Sequence, residues 1–172
     1  MTKTFRLWAL LAISLAGFLQ ITSQNSNEAI SHGSAFNYLL PIQGVSDSAL
    51  TLQHYVNQTT LLFYFNPNCP HCQAAFPSVQ SIVITRSSKG LQSLALAVPS
   101  ASKQSVLDFI STYNASIPFA RDTTWNFESS YGSGHVPLFM VIHRDGSYTR
   151  YIENSSATLS AIETELDSAL AQ

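Results

Sequence analysis

The clearest hydrophobic pattern in the chain is a continuous apolar and aromatic run at residues 60–65, which ends at Asn66-Pro67-Asn68. A run of this length, bounded by a turn, is typical of a strand buried on both faces. Over residues 70–88 the apolar positions change to helical spacing. This spacing predicts a helix with Pro77 inside it, where the proline should introduce a kink.

Beyond this helix, apolar runs and helical spacing alternate to the end of the sequence. The pattern predicts strands at 91–98, 117–120, 137–142 and 147–152, and helices at 103–113, 124–131 and 157–170. Arg144-Asp145-Gly146 predicts a hairpin between the last two strands. The pattern is weaker before residue 60, where 36–40 predicts a short strand and 49–56 fits either a helix or a covering segment.

The order of these elements indicates the fold class. Strands that alternate with helices favour parallel pairing, and the late hairpin adds antiparallel strands. We therefore expect an α/β fold in which helices flank a central mixed β-sheet. The 172 residues show no internal repeat and are enough for one domain once a leader is set aside.

The N-terminus predicts export. Lys3 and Arg6 precede an apolar run at residues 7–21, and a basic segment before a short apolar run is typical of a secretory signal. The run is shorter than the ~20 residues that a membrane span needs. Cleavage after Ser23 fits only loosely, so an uncleaved anchor at 7–21 stays open, as does a buried N-terminal helix. The predicted division is 1–23 signal peptide or membrane anchor, 24–35 polar tether and 36–172 folded domain.

Composition and charge exclude two classes of partner. Charged residues make up 10% of the chain, far below the roughly 25% of an average globular protein. With a net charge of −2, nothing indicates binding to nucleic acid or to an anionic membrane surface.

The chain has two cysteines, Cys69 and Cys72, only three positions apart. A structural disulfide framework needs several cysteines at wide spacing. A disulfide that closes so short a loop also removes little entropy from the unfolded chain. These cysteines are therefore expected to serve chemistry or a metal rather than stability.

The motif Cys69-Pro70-His71-Cys72 lies between the predicted buried strand and the helix that follows. Proline suits the first helical position, which leaves Cys69 at the cap, facing free amides and the positive end of the helix dipole. Both effects favour the thiolate, the nucleophilic form of cysteine, and His71 adds a further donor. Cys72, one turn later and more buried, is placed to resolve a mixed disulfide.

The cysteine pair has three alternative uses. A zinc site lacks a second pair, and the remaining histidines show no ligand spacing. A c-type haem site requires His directly after the second cysteine, where this chain has Gln73. An inert structural bridge is the third alternative. We expect no metal and no cofactor.

Two segments resemble the thioredoxin superfamily. Residues 61–77 are similar to its active-site region, including the helix proline at Pro77, and Gly134-His135-Val136-Pro137 resembles its cis-proline loop. The resemblance implies a thioredoxin-like domain in which Pro137 lies against the cysteine pair and the Val136 backbone pairs with a substrate strand. An ordinary trans proline at the start of a strand is the alternative.

Within the superfamily the chain is similar to the TlpA/ResA-like exported thioredoxins. Three features carry this resemblance: the leader, the helix and strand inserted at 103–120, and the pattern from Tyr131 to Gly146. Family residues are missing at three places, since Asn66-Pro67-Asn68 replaces the usual tryptophans and Ala75 and Phe63 replace carboxylates. No carboxylate is therefore evident to accept the Cys72 proton.

The resemblance implies a thiol–disulfide oxidoreductase in the bacterial periplasm or on the extracytoplasmic face of the inner membrane. Its expected partners are protein thiol or disulfide substrates and an upstream redox protein. Pro70-His71 is also the dipeptide of the strongly oxidising DsbA-type proteins, whereas TlpA/ResA-like proteins usually reduce disulfides. Oxidase, reductase and conjugation-type isomerase all stay open, as does a non-catalytic thioredoxin-fold binding or chaperone module, including one that serves metallocentre assembly.

Overall fold

The computed structural model describes residues 31–33 and 35–172. The strands are β1 (Ser31–Gly33), β2 (Pro41–Gly44), β3 (Ala49–Thr51), β4 (Thr60–Phe65), β5 (Gln92–Ala97), β6 (Phe119–Arg121), β7 (Leu138–Ile142) and β8 (Tyr148–Ile152). The α-helices are α1 (Pro70–Arg86), α2 (Lys103–Thr112), α3 (Asn126–Tyr131) and α4 (Ser156–Leu170), and short 3-10 helices span Leu52–Tyr55 and Ser87–Lys89.

The strands form one mixed sheet in the order β1-β8-β7-β4-β5-β6-β2-β3. β4, β5 and β6 run parallel, while β7 and β8 on one side, and β2 on the other, pair antiparallel with their neighbours. The expected α/β class, with a mixed sheet flanked by helices, is confirmed. The inserted pair also lies as predicted, because α2 leads into β6 beside β5.

β4 is the central strand, and all six of its residues are buried. Successive side chains of a strand point to opposite faces of the sheet. Phe63 therefore packs on one face against Phe76 of α1, with ring centroids 6.1 Å apart, and Tyr64 packs on the other against Phe127 of α3, at 4.8 Å. The continuous hydrophobic run is thus explained by burial of both faces.

Two predictions near the start of the domain are wrong. Residues 36–40 form no strand, although Phe36 and Leu40 are buried in the core. The tether assigned to 24–35 instead contains β1, which pairs antiparallel with β8. Short edge strands take their hydrogen bonds from a neighbouring strand and need no hydrophobic run of their own. For this reason the pattern did not reveal the edge strand β1, and β2, which has only four residues between β6 and β3, was missed as well.

The ambiguous segment at 49–56 is not one continuous element. It divides into the exposed edge strand β3 and a 3-10 helix that buries Leu52 and Tyr55. The predicted leader at 1–23, and the tether up to residue 30, lie outside the described residues. Within residues 31–33 and 35–172, no helix is both long enough and apolar enough to cross a membrane.

Candidate active site

Cys69 occupies the N-cap of α1, the helix that follows directly from the turn after β4. Its backbone is extended, at φ −84° and ψ 119°, and Pro70 starts the helix. The Cys69 carbonyl already accepts the first helical hydrogen bond, from the Gln73 amide at 3.0 Å. Proline costs nothing at this position because its missing N–H would have no partner in the helix. The sequence thus fixes where the helix begins and sets Cys69 at its positive end.

The two thiols have different surroundings. Cys69 is half-buried, and its Sγ donates to the Val136 carbonyl oxygen at 3.8 Å. Cys72 is completely buried one turn along α1. Burial raises the pKa of the Cys72 thiol to about 12, helped by the adjacent Cys69 thiol and opposed by a backbone hydrogen bond from Asn66. One sulfur is therefore open to a partner, and the other is kept as a neutral thiol behind it.

The Val136–Pro137 peptide bond is cis, as the resemblance implied. Pro137 is buried and Val136 half-buried, and the bond immediately precedes β7, the neighbour of β4 in the sheet. This placement brings Val136 to Cys69 although the two residues are far apart in sequence. Of the predicted site residues, Cys69, Pro70 and Cys72 lie at the start of α1, and Val136 and Pro137 lie in the loop that faces Cys69.

A groove of about 400 Å³ opens beside this pair. It is lined by His71, His135, Val136, Pro137 and the segment from Ile152 to Ser155. His71 and His135 are exposed at its rim. Within the described part of the chain, no hydrogen bond joins His71 to Cys69. The donor role expected for His71 is therefore absent from this arrangement, and the histidine instead belongs to the wall of the groove.

The sequence pattern did not predict the wall of the groove that residues 152–155 form. It comes from the end of β8, where Glu153 adopts a left-handed backbone at φ 80°. The hairpin signal at Arg144-Asp145-Gly146 could have located this wall, because the antiparallel register places Ile152 opposite Leu138, the residue after the cis-proline. The pairing register, rather than any motif, determines this side of the site.

No carboxyl group contacts Cys72 within the described residues. Phe63 stands where thioredoxins have a buried aspartate, and Ala75 is fully buried. Asp122 and Glu128 contact Tyr64 of β4, whose side chain packs against α3 rather than α1. In the same part of the chain, no group of three or more His, Cys, Asp or Glu side chains could hold a metal ion.

Comparison with known proteins gives a family and a set of similar folds. The family described as Redoxin matches residues 33–166, and no curated relative matches the chain. A secreted disulfide oxidoreductase of Mycobacterium tuberculosis, described as homologous to E. coli DsbE, is 21% identical; the match covers 78% of this chain and 96% of that one, with a TM-score of 0.64.

Two further solved structures agree in fold. A thiol:disulfide interchange protein of the thioredoxin family from Chlorobium tepidum is 18% identical, with 80% of this chain and 99% of that one covered and a TM-score of 0.63. StoA from Bacillus subtilis is also 18% identical, covers 74% of this chain and 94% of its own length, and gives a TM-score of 0.60.

Proposed function

Because this chain belongs to the Redoxin family and is a thiol–disulfide oxidoreductase of the thioredoxin fold, we propose that it exchanges disulfides with exported proteins through Cys69 and Cys72. The observation that carries the proposal is the contrast between the two sulfurs. Cys69 is half-exposed at the start of the 17-residue helix α1, and Cys72 is buried directly behind it. In disulfide exchange an accessible thiolate attacks the substrate disulfide, and a second thiol close behind it can resolve the mixed disulfide.

The proposed reaction has two steps. In the reducing direction the Cys69 thiolate attacks one sulfur of a substrate disulfide, and the other substrate sulfur leaves as a thiolate. Cys72 then gives up its proton and attacks Cys69, which forms the Cys69–Cys72 disulfide and releases the second substrate thiol. Oxidation of a substrate is the same pair of steps in reverse. Pro70 supports both by starting the helix at the nucleophile.

An extended peptide segment is the substrate form that the groove favours. Val136, Pro137 and Ile152 give it an apolar surface. The Val136 backbone lies two residues before the start of β7, where an incoming strand can pair with it. The Val136 carbonyl already accepts the Cys69 thiol, so a substrate paired there would carry its sulfur close to Cys69.

The proposed location is outside the cytoplasm of a bacterium. The basic and apolar leader supports export, and the similar M. tuberculosis protein is described as secreted. In the periplasm or at the outer face of the inner membrane, with residues 7–21 as a tether if the leader is kept, an upstream redox protein would restore the active state of the cysteine pair.

Cysteine variants test the proposal. Wild-type protein should reduce insulin with dithiothreitol or oxidise a reduced peptide with glutathione disulfide. Cys69→Ser should lose both activities, and Cys72→Ser should trap a mixed disulfide through Cys69 that is visible by mass spectrometry. Equal and negligible activity of wild type and Cys69→Ser would instead favour the non-catalytic module. The reduction potential, measured against glutathione, determines the direction of exchange.

A further inference from the structure

The loop that carries Val136 is held by a side chain from α3. The Glu128 Oε1 atom accepts a hydrogen bond from the Gly134 amide at 3.2 Å, two residues before Val136. Glu128 also folds closely over Gly132, where an added Cβ would lie 2.3 Å from the same oxygen. Gly132 therefore has no space for a side chain, and the carboxyl group of Glu128 occupies the inside of the loop.

Glu128 is itself anchored to the centre of the sheet. Its amide donates to Asp122 Oδ2 at 2.9 Å, and the Tyr64 hydroxyl donates to the same oxygen at 3.4 Å. The Tyr64 hydroxyl is also within hydrogen-bonding reach of the Glu128 carboxyl group. Tyr64 and Asp122 are both completely buried. The contacts thus run from β4, the strand that leads to Cys69, to the loop that faces Cys69.

This loop needs such support. Gly132 and Gly134 give it wide backbone freedom, and Gly134 has a positive φ of 73°. On its other side Arg150 Nη1 donates to the Tyr131 carbonyl at 2.6 Å, which fixes the beginning of the loop. Among these contacts the Glu128 bond to Gly134 is the one that lies closest along the chain to Val136.

We propose that Glu128 is a positioning residue for peptide substrates, which holds the Gly134–Val136 segment so that the Val136 backbone faces both Cys69 and the incoming strand. The inference rests on the proposed function and deepens it. Glu128 touches neither reacting sulfur, so its removal should weaken exchange with substrates that must pair with Val136. Small disulfides, which reach Cys69 without pairing, should be affected much less.

The test compares two substrates across matched variants. Exchange rates are measured with a disulfide-bonded peptide and with 2-hydroxyethyl disulfide, for wild type, Glu128→Ala and Glu128→Gln. Ser129→Ala, an exposed position on the same helix, is the control. Glu128→Ala should lower kcat/KM for the peptide about tenfold through KM, the factor that corresponds to one lost hydrogen bond. Its exchange with the small disulfide should fall by less than about twofold.

Glu128→Gln keeps an oxygen that can accept from Gly134, so it should restore peptide exchange to near the wild-type value. The inference would be overturned if Glu128→Ala lost exchange activity equally with both substrates or lost it with neither. It would also be overturned if Glu128→Gln did not restore peptide exchange. If Glu128→Ala does not fold, Glu128→Asp removes one methylene from the reach to Gly134 and should show the same selective loss. A wild type inactive with both substrates would instead overturn the proposed function.

Discussion

At the scale of single residues, the burial of Cys72 has a direct kinetic consequence. Cys72 attacks only as a thiolate, and burial raises the pKa of its thiol to about 12. Since the thiolate fraction grows about tenfold per pH unit below the pKa, the resolving step should accelerate about tenfold per unit between roughly pH 6 and 9. Stopped-flow mixing with a fluorescent peptide disulfide would isolate this step as the phase independent of substrate concentration.

Cys72→Ser should lack that phase altogether, which identifies it. A rate that levels off below about pH 8 would contradict the prediction, because it would reveal a base that removes the Cys72 proton. Such a base is missing from the described contacts of Cys72, where Phe63 and Ala75 replace the carboxylates of related proteins. The sequence alone already revealed this absence, whereas the depth of Cys72 in the core required the structure.

Trp125 supplies a second prediction at this scale. It is the N-cap of α3 and has a left-handed backbone at φ 61°, although its indole is 58% exposed. A bulky residue pays a backbone penalty in this region that glycine avoids. Trp125→Gly should therefore be about 1 kcal/mol more stable than Trp125→Ala, since both lose the indole and only alanine keeps a Cβ.

Urea unfolding of the two variants would measure that difference. Greater stability of Trp125→Ala would show that the left-handed conformation does not persist in solution. Because α3 carries Glu128, the same pair of variants also reports whether the start of this short helix influences peptide exchange.

At the scale of elements, an ion-pair cluster fixes α1 against α4. Arg86, whose side chain is 10% exposed, lies 2.9 Å from Glu163 and 2.8 Å from Asp167. Arg86→Ala should lower the free energy of unfolding by about 1–2 kcal/mol, because hydrogen bonds to charged groups are lost and a buried stem is removed. Lys89→Ala, which removes an exposed partner of Asp167, should change it by less than about 0.5 kcal/mol.

The stabilisation that Arg86 provides should depend on pH in a definite direction. Arg86 holds the pKa of Asp167 below its ordinary value of 3.8, mainly through the side-chain hydrogen bond. The stability gained from a depressed carboxyl pKa is present above the ordinary value and is lost as the pH falls through the folded value. The difference in free energy of unfolding between wild type and Arg86→Ala should therefore become smaller below pH 3.8. A difference that becomes larger there would contradict the stabilisation of the Asp167 carboxylate by Arg86.

The elements also show how far the sequence could predict the fold. β4, β5, β7 and the long helices each carry their own hydrophobic pattern, so they were found within a few residues. β1, β2 and β3 have three or four residues each and exist because of the strands beside them. The cysteine motif and the cis-proline loop could be identified from local sequence. The groove wall at 152–155 depends on the pairing register, and the hydrogen bond from Gly134 to Glu128 depends on side-chain placement, so neither could be predicted.

At the scale of the whole molecule, the order of the strands predicts a gradient of stability. β4 and β7 lie inside the sheet, whereas β1 and β3 form its two edges. Local opening is easiest where few buried contacts and few paired backbone groups must be lost. Hydrogen exchange followed by mass spectrometry should therefore show the slowest amides in β4 and β7, intermediate ones in β8 and the fastest in β1 and β3.

This gradient bears on how the site works. Cys69 follows β4 through a single turn, and the cis-proline immediately precedes β7, so both sides of the reacting pair are attached to interior strands for which slow exchange is expected. The groove wall at 152–155 comes instead from the end of β8, one strand from the edge β1. We expect its amides to exchange faster than those of Leu138–Ile142 and to gain protection when a peptide is trapped on Cys69 of the Cys72→Ser variant. Equal exchange rates with and without the trapped peptide would place the substrate elsewhere than in this groove.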